Sequence, residues 1–255
     1  MSAKQTVLIL GSAPGVIAAR TLPRSVFSSI VAINNAWSVR DDWDYHISPD
    51  DFPEARKPVD LKPGQRLIGA ADYVPANNIY GGIIYAGATM AFTAGYWALA
   101  ALRPKAMVFV GCDMVYSDAG KSHFYGTGSA DPLRKDITLR NLEAKSMRLM
   151  LHAAEQGCAC VRAPGGESRL VFPSMALEDV GQIDIPQVPA QPDTFAHARQ
   201  CEERLGYFVE SGRYWTSEPD LSADQLDAID QLWMAARTRP SASGGGVGAG
   251  ESTAT

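Results

Sequence analysis

The chain predicts a doubly wound α/β fold with a mostly parallel sheet, and three features carry that prediction. Apolar runs without alternation recur at Thr6–Leu10, Ser29–Ile33 and Ala106–Val110, as strands covered on both faces require. Each run ends in small or polar residues: Gly11-Ser12, Asn34-Asn35 and Gly111-Cys112-Asp113. Stretches of helical periodicity separate the later runs, and strands alternating with helices build a parallel sheet.

Taken in order, Thr6–Leu10 is the first strand, and Gly11-Ser12-Ala13-Pro14-Gly15 turns the chain toward a helix. Such a turn either presents backbone N–H groups to an anion or is a plain tight turn. It is neither the three-glycine dinucleotide fingerprint nor a P-loop, because no Gly-Lys-Ser/Thr follows. Ser29–Ile33 is the second strand, and the amides of Asn34 and Asn35 either cap its turn or recognise a base or ribose. Residues 45–49 form a short third strand ending at Ser48-Pro49. Asp41, Asp42 and Asp44 precede that strand and are interrupted by Trp43, so they read as a solvated turn rather than a metal site.

Residues 53–64 are a proline- and charge-rich connection, and 66–69 a short strand. From 77 to 102 no residue is charged, a length that spans a bilayer. Asn77, Asn78 and the glycines at 81, 82 and 87 have turn composition, however, so the reading is a buried crossover helix over 88–102. A helix within 131–157 follows the Ala106–Val110 strand, with Leu139, Leu142, Met147 and Met150 inward, Arg140, Glu143, Lys145 and Arg148 outward, and Gly157 ending it. The strand at 158–162 leads into another rim loop, 163–169. Helices are expected over 194–210 and 222–237, the second with a Ser222/Gln225 capping box and an apolar stripe of Leu226, Ile229, Leu232 and Trp233. That stripe suits a core, an oligomer contact or a membrane-peripheral surface, the last opposed by Asp224, Asp227 and Asp230.

The organisation expected is an α/β domain over 1–180, a helical extension over 181–238 and a disordered tail over 239–255, where glycine, serine and alanine dominate. A net charge of -5 without clustered Lys and Arg argues against nucleic acid as a partner. The 4 cysteines make no disulfide framework, and Cys158 and Cys160 read as buried thiols on one strand face. The N-terminus lacks the basic and long apolar segments of a signal peptide. Cytoplasmic location is expected, with contact at the inner membrane left open.

Chemistry concentrates after Val110. Gly111 turns the backbone, and Asp113, Tyr116, Asp118, Lys121, His123 and Tyr125 crowd the loop, which lies where ligands of open α/β sheets bind. His123 is the foremost candidate, against the bland alternative of a surface-loop histidine.

These segments resemble the bacterial sialyltransferases of glycosyltransferase family 42 and the wider DUF115/Rossmann-like sugar-transfer group. Gly11-Ser12-Ala13-Pro14 is similar to the family's Gly-Asn-Gly-Pro turn, Asn34 to its nucleotide-binding strand-end Asn, and Ser48-Pro49 to an Asn-Pro. Gly111-Cys112-Asp113 is similar to Gly-Ile-Asp, and residues 122–126 to Ser-His-Tyr-Ile-Gly, which carries the catalytic base. The likeness covers roughly 7–173, with its specific segments inside 111–126. It departs at Ser12 and Ser48, each in place of Asn, and at Tyr85-Ala86-Gly87-Ala88, in place of Thr-Ser-Gly.

The resemblance implies a Rossmann-like, GT-A-like sheet and inverting transfer from a CMP-activated, sialic acid-like sugar to a surface glycan such as lipopolysaccharide or capsule, with no metal or resident cofactor. His123 would be the base, and Tyr116, Lys121 and Tyr125 would meet the departing phosphate. Gly11, Ser12, Asn34, Asn35, Ser48, Gly87, Gly111, Asp113 and Arg169 would hold substrate. The partners expected are the nucleotide-sugar donor and the glycan acceptor, with a homo-oligomer open. The rival readings are a pterin diphosphokinase-like pyrophosphoryl transferase, needing Mg²⁺ on Asp113 and Asp118, and a non-catalytic nucleotide-binding module.

Overall fold

Parallel pairing of short strands organises the chain in a computed structural model that describes residues 5–115, 122–126, 136–181, 191–216 and 220–237. The strands are β1 (Thr6–Leu10), β2 (Ser29–Ile33), β3 (Tyr45–Ile47), β4 (Arg66–Ile68), β5 (Ala106–Val110) and β6 (Ala159–Arg162). They form one sheet in the order β4-β3-β2-β1-β5-β6, every pair parallel. Side chains of β1 alternate between two cores: Val7 and Ile9 face one, Leu8 and Leu10 the other. In β5 Met107 and Phe109 face the first, and Val108 and Val110 the second. Burial on both faces is why these strands read as unbroken apolar runs. The architecture is a Rossmann-like α/β fold.

The helices are α1 (Ala70–Asn78), α2 (Ile83–Ala86), α3 (Met90–Ala101), α4 (Leu142–Glu155), α5 (Pro192–Leu205) and α6 (Ala223–Ala235). The expected helix after β1 is instead a 3-10 segment, Pro14–Thr21. At about 2.0 Å rise per residue it returns the chain about 16 Å along β1, where an α-helix of equal length would give about 12 Å. Asn77 and Asn78 belong not to a turn but to the end of α1, a helix hidden in the sequence by Pro75 within it. The uncharged stretch is thereby divided among α1, α2 and α3. Among the described residues no helix is long and apolar enough to cross a membrane. Helix α3 is capped by Thr89, whose hydroxyl accepts from the Phe92 N–H, and is buried all round from Ala91 to Leu99. Helix α4 starts later than the periodicity indicated, at an Asn141 cap accepting from the Ala144 N–H, after a 3-10 turn over Ile137–Leu139. The cap at Ser222 forms, but the Gln225 side chain accepts from the Tyr207 hydroxyl rather than closing a box.

The largest departure from the sequence reading lies on α4. Lys145 and Arg148, expected outward, are 2% and 1% exposed. Arg148 makes a bidentate pair with Glu202 of α5, its Nε 2.8 Å and Nη2 2.7 Å from the carboxylate oxygens. It also donates to the Tyr96 hydroxyl and to the Tyr80 carbonyl. Glu202 accepts a further bond from the Trp233 indole. Lys145 meets Asp230 of α6 at 2.7 Å. Burial alone would lower the Arg148 pKa, but Glu202 and Tyr96 hold it above its ordinary value. Helices α5 and α6 thus cover a face of α4 that looks solvated in the local sequence. The apolar stripe of α6 joins the same core, with Leu226, Ile229 and Trp233 buried.

Truncating one member of a buried, hydrogen-bonded ion pair costs about 3–5 kcal/mol because the other charge stays buried. Glu202→Ala is therefore expected to lower unfolding stability by about that amount in urea melts, and the pair replacement Arg148→Met/Glu202→Leu to recover most of it.

His152 sits beside this pair, 4% exposed, ringed by Tyr80, Tyr96, Phe195 and Trp233. Burial, then Arg148 and Arg199, push its pKa well down, against Glu155 4.0 Å from Nδ1. Below the unfolded value near 6.5 the unfolded chain binds a proton that the folded chain refuses, so stability falls as pH drops. His152→Phe should remove up to about 1.4 kcal/mol per pH unit of that slope below pH 6.5, read from urea melts across pH.

Candidate active site

The order of the sheet places its topological switch between β1 and β5, because the chain leaves β1 toward β2 and β5 toward β6. Ligands of open α/β sheets bind in that crevice, outside the carboxyl ends of the strands. Gly11 and Gly111 follow the two strands there. The Gly11 N–H donates to the Val110 carbonyl at 2.8 Å and the Ala13 N–H to the Gly111 carbonyl at 2.9 Å. Both amides, offered by the sequence to an anion, are engaged within the protein. A Cβ on Gly11 would stand 2.6 Å from the Gly111 carbonyl carbon and 2.7 Å from Cys112 Sγ, so only glycine permits the approach.

The histidine loop is fastened to this crevice by its backbone. The Phe124 N–H donates to the Ser12 carbonyl at 3.0 Å, and His123 and Gly126 exchange N–H···O bonds of 3.0 Å. His123 is not a surface residue, being 1% exposed. Its Nδ1 lies 2.8 Å from Ser122 Oγ, and its ring lies 5.0 Å from that of Tyr125, tilted by 30°. Burial lowers its pKa, which keeps the imidazole neutral at pH 7. In the tautomer with Nδ1–H donating to Ser122, Nε2 carries the basic lone pair. Tyr125 is exposed. Tyr116 and Lys121 lie outside the described residues, as does Asp118.

The register aligns the next rim residues. Leu10 pairs with Ala32 and Ile33 with Ile47, so positions 12, 34 and 48 follow their strands at one level. Asn34 has a left-handed backbone, φ 52. Its carbonyl lies 2.9 Å from His46 Nε2, and its buried Oδ1 has no hydrogen-bond partner among the described residues. His46, absent from the sequence reading of the site, holds this turn from β3, and burial lowers its pKa. Ser48 is buried, and its N–H donates to Ile68 at 3.3 Å. The Asn35 carbonyl accepts from Ser38 Oγ. Asp113 uses its carbonyl to hold the Arg169 N–H at 2.9 Å, while the Arg169 guanidinium is paired with Glu143 at 2.7 Å. Gly87 ends α2 at φ 85, and a Cβ there would lie 3.0 Å from the Lys145 stem. The fold therefore gathers Gly11, Ser12, Gly111, His123 and Tyr125, and ranks Asn34 and Ser48 along the same rim. Gly87 packs on α4.

Beyond Ser48 the rim opens into a cleft of about 690 Å³ lined by Pro49, Asp50, Asp51, Tyr73, Arg213 and Trp215 among others. The sequence reading missed it, because its wall 211–216 comes from the link between α5 and α6. Only the acidic pair directly after the third strand was a local signal. A larger cleft, about 740 Å³, lies at the turns entering β3 and β4, away from this rim. Its Asp41 and Asp42 are held by Lys62 and Arg40, and Asp44 by Arg24, in keeping with a charged turn.

Fold and site together define a Rossmann-like α/β protein with a backbone-clamped, neutral histidine at its switch point. Comparison with protein-family models, curated proteins and solved structures finds no match.

Gly11→Ala is expected to destabilise the protein by about 1–3 kcal/mol in urea melts by forcing the two glycine turns apart. Gly15→Ala, where a Cβ meets nothing within 4 Å, should leave stability nearly unchanged.

Proposed function

We propose that the protein is an inverting glycosyltransferase that moves a sugar from a CMP-activated, sialic acid-like donor to a hydroxyl of a surface glycan, without a metal ion. His123 Nε2 takes the proton of the acceptor hydroxyl as its oxygen attacks the anomeric carbon. The bond from that carbon to the phosphate oxygen breaks, and CMP leaves with the electron pair. Tyr125, with Tyr116 and Lys121, donates to the departing phosphate and offsets its charge. Ser12, Asn34 and Ser48 hold the nucleotide along the rim, with Gly11 and Gly111 keeping the crevice close to the backbone.

The observation that carries this reading is the buried imidazole of His123, its Nδ1 2.8 Å from Ser122 Oγ and its loop tied through the Phe124 N–H to the Ser12 carbonyl. A general base works best unprotonated at the operating pH, and burial favours the neutral imidazole here.

His123→Ala is expected to lower turnover of a CMP-sugar by about 10²–10⁴-fold while CMP still raises the melting temperature. Asn34→Ala should lose most of that rise. The rate of the natural enzyme should stay level with falling pH past 6.5, because its base titrates below the ordinary histidine value. Stabilisation by Mg²⁺–ATP alone, or by no nucleotide, would sink the proposal.

A further inference from the structure

We infer that the cleft beyond Ser48 is the nucleoside end of the donor site, with Trp215 stacking the base and Asp50 and Asp51 accepting the ribose hydroxyls. This deepens the transferase reading above and rests on it.

Position gives the first support. Pro49, the residue after Ser48, lines the cleft, so the cleft continues the row formed by positions 12, 34 and 48. From β5 to β3 the sheet order counts three inter-strand spacings, about 14 Å at about 4.8 Å each. An extended nucleotide sugar bridges such a span, with its reacting carbon at His123 and its base beyond β3. The cleft volume of about 690 Å³ lies within the range of small-molecule sites.

The wall gives the second. Trp215 is 60% exposed, yet its turn is pinned: neighbouring Tyr214 is 3% exposed and donates its hydroxyl to Asp136. The Trp215 and Tyr214 rings meet at 5.6 Å with their planes 75° apart, and the exposed part of the Trp215 ring borders the cleft, where a planar guest can reach it. Base–aromatic stacking is a strong and sequence-tolerant contact.

Charge gives the third, and it sets direction. Asp50 and Asp51 make no hydrogen bond or ion pair among the described residues. Burial, with their charge added, lifts the Tyr73 pKa to about 12. Carboxylates suit the vicinal hydroxyls of ribose, as at other α/β nucleotide sites, and Asp50 with Asp51 outweighs Arg213 in the lining, which disfavours phosphate there. The anionic end of the donor is thereby directed toward the crevice.

Calorimetric titration of the full chain with CMP, cytidine and 2′-deoxycytidine tests this, with thermal melts confirming that each variant folds. Cytidine should bind measurably, 2′-deoxycytidine more weakly, and Trp215→Ala should weaken CMP and cytidine alike, by roughly 5- to 150-fold. Asp50→Asn/Asp51→Asn should erase the preference for cytidine over its deoxy form. If CMP binds and depends on Asn34 but ignores Trp215, the cleft assignment fails while the transferase reading stands. Binding of a free hexose in the cleft in place of cytidine also overturns the assignment, giving the cleft to the acceptor. Absence of any nucleotide binding to the natural protein removes the reading beneath it as well.

Discussion

The pairing of Arg148 with Glu202, seconded by Lys145 with Asp230, is the contact on which the α-helical layer depends. Two cations on one face of α4 would ordinarily hold that face in water, since desolvating an unpaired charge costs several kcal/mol. Here α5 and α6 each bring one carboxylate, and the Trp233 indole, the Tyr96 hydroxyl and the Tyr80 carbonyl complete the polar network around the guanidinium. The consequence reaches the site. Residues 211–216 connect these two helices, so their place over the rim follows from where the ion pairs dock α5 and α6. Trp215 and Arg213 reach the cleft by that route, and a segment read as an appendage to the sheet supplies part of its wall.

At the switch point the constraint is steric rather than electrostatic. Gly11 and Gly111 approach so closely that no side chain fits between the turns, and the amides of Gly11 and Ala13 are spent holding them together. Recognition of an anion there must come from side chains and from other donors. The histidine loop is tied to this seam by a backbone bond from the Phe124 N–H to the Ser12 carbonyl. Its imidazole is positioned by main chain and kept neutral by burial. In the proposed transfer this placement couples His123 to the row of positions 12, 34 and 48, because Ser12 belongs to both.

The central strands were legible in the sequence because burial on both faces leaves a local mark, an apolar run such as Ala106–Val110 or Thr6–Leu10, and they pair in parallel as the doubly wound pattern implies. The buried thiols of Cys158 and Cys160 and the all-round burial of α3 were legible for the same reason. The strand-end positions were legible too: Gly11, Asn34, Ser48 and Gly111 stand along one rim of the sheet. What the sequence left open has a different physical character. Lys145 and Arg148 look solvent-facing until acids from more than fifty positions away arrive beside them, and no periodicity encodes a partner that distant. Pro75 hid a helix that neighbouring packing sustains. Whether His123 lay on the surface or was buried also waited on tertiary structure: it is buried, and its neighbour Phe124 meets Ser12 from the other end of the sheet domain. By itself the sequence determined the layered fold and the rim on which the candidate residues stand, through patterns local to each strand. The tertiary structure alone decided which charges are buried, how His123 is held and which C-terminal turn walls the cleft, because each depends on chain segments brought together only by folding.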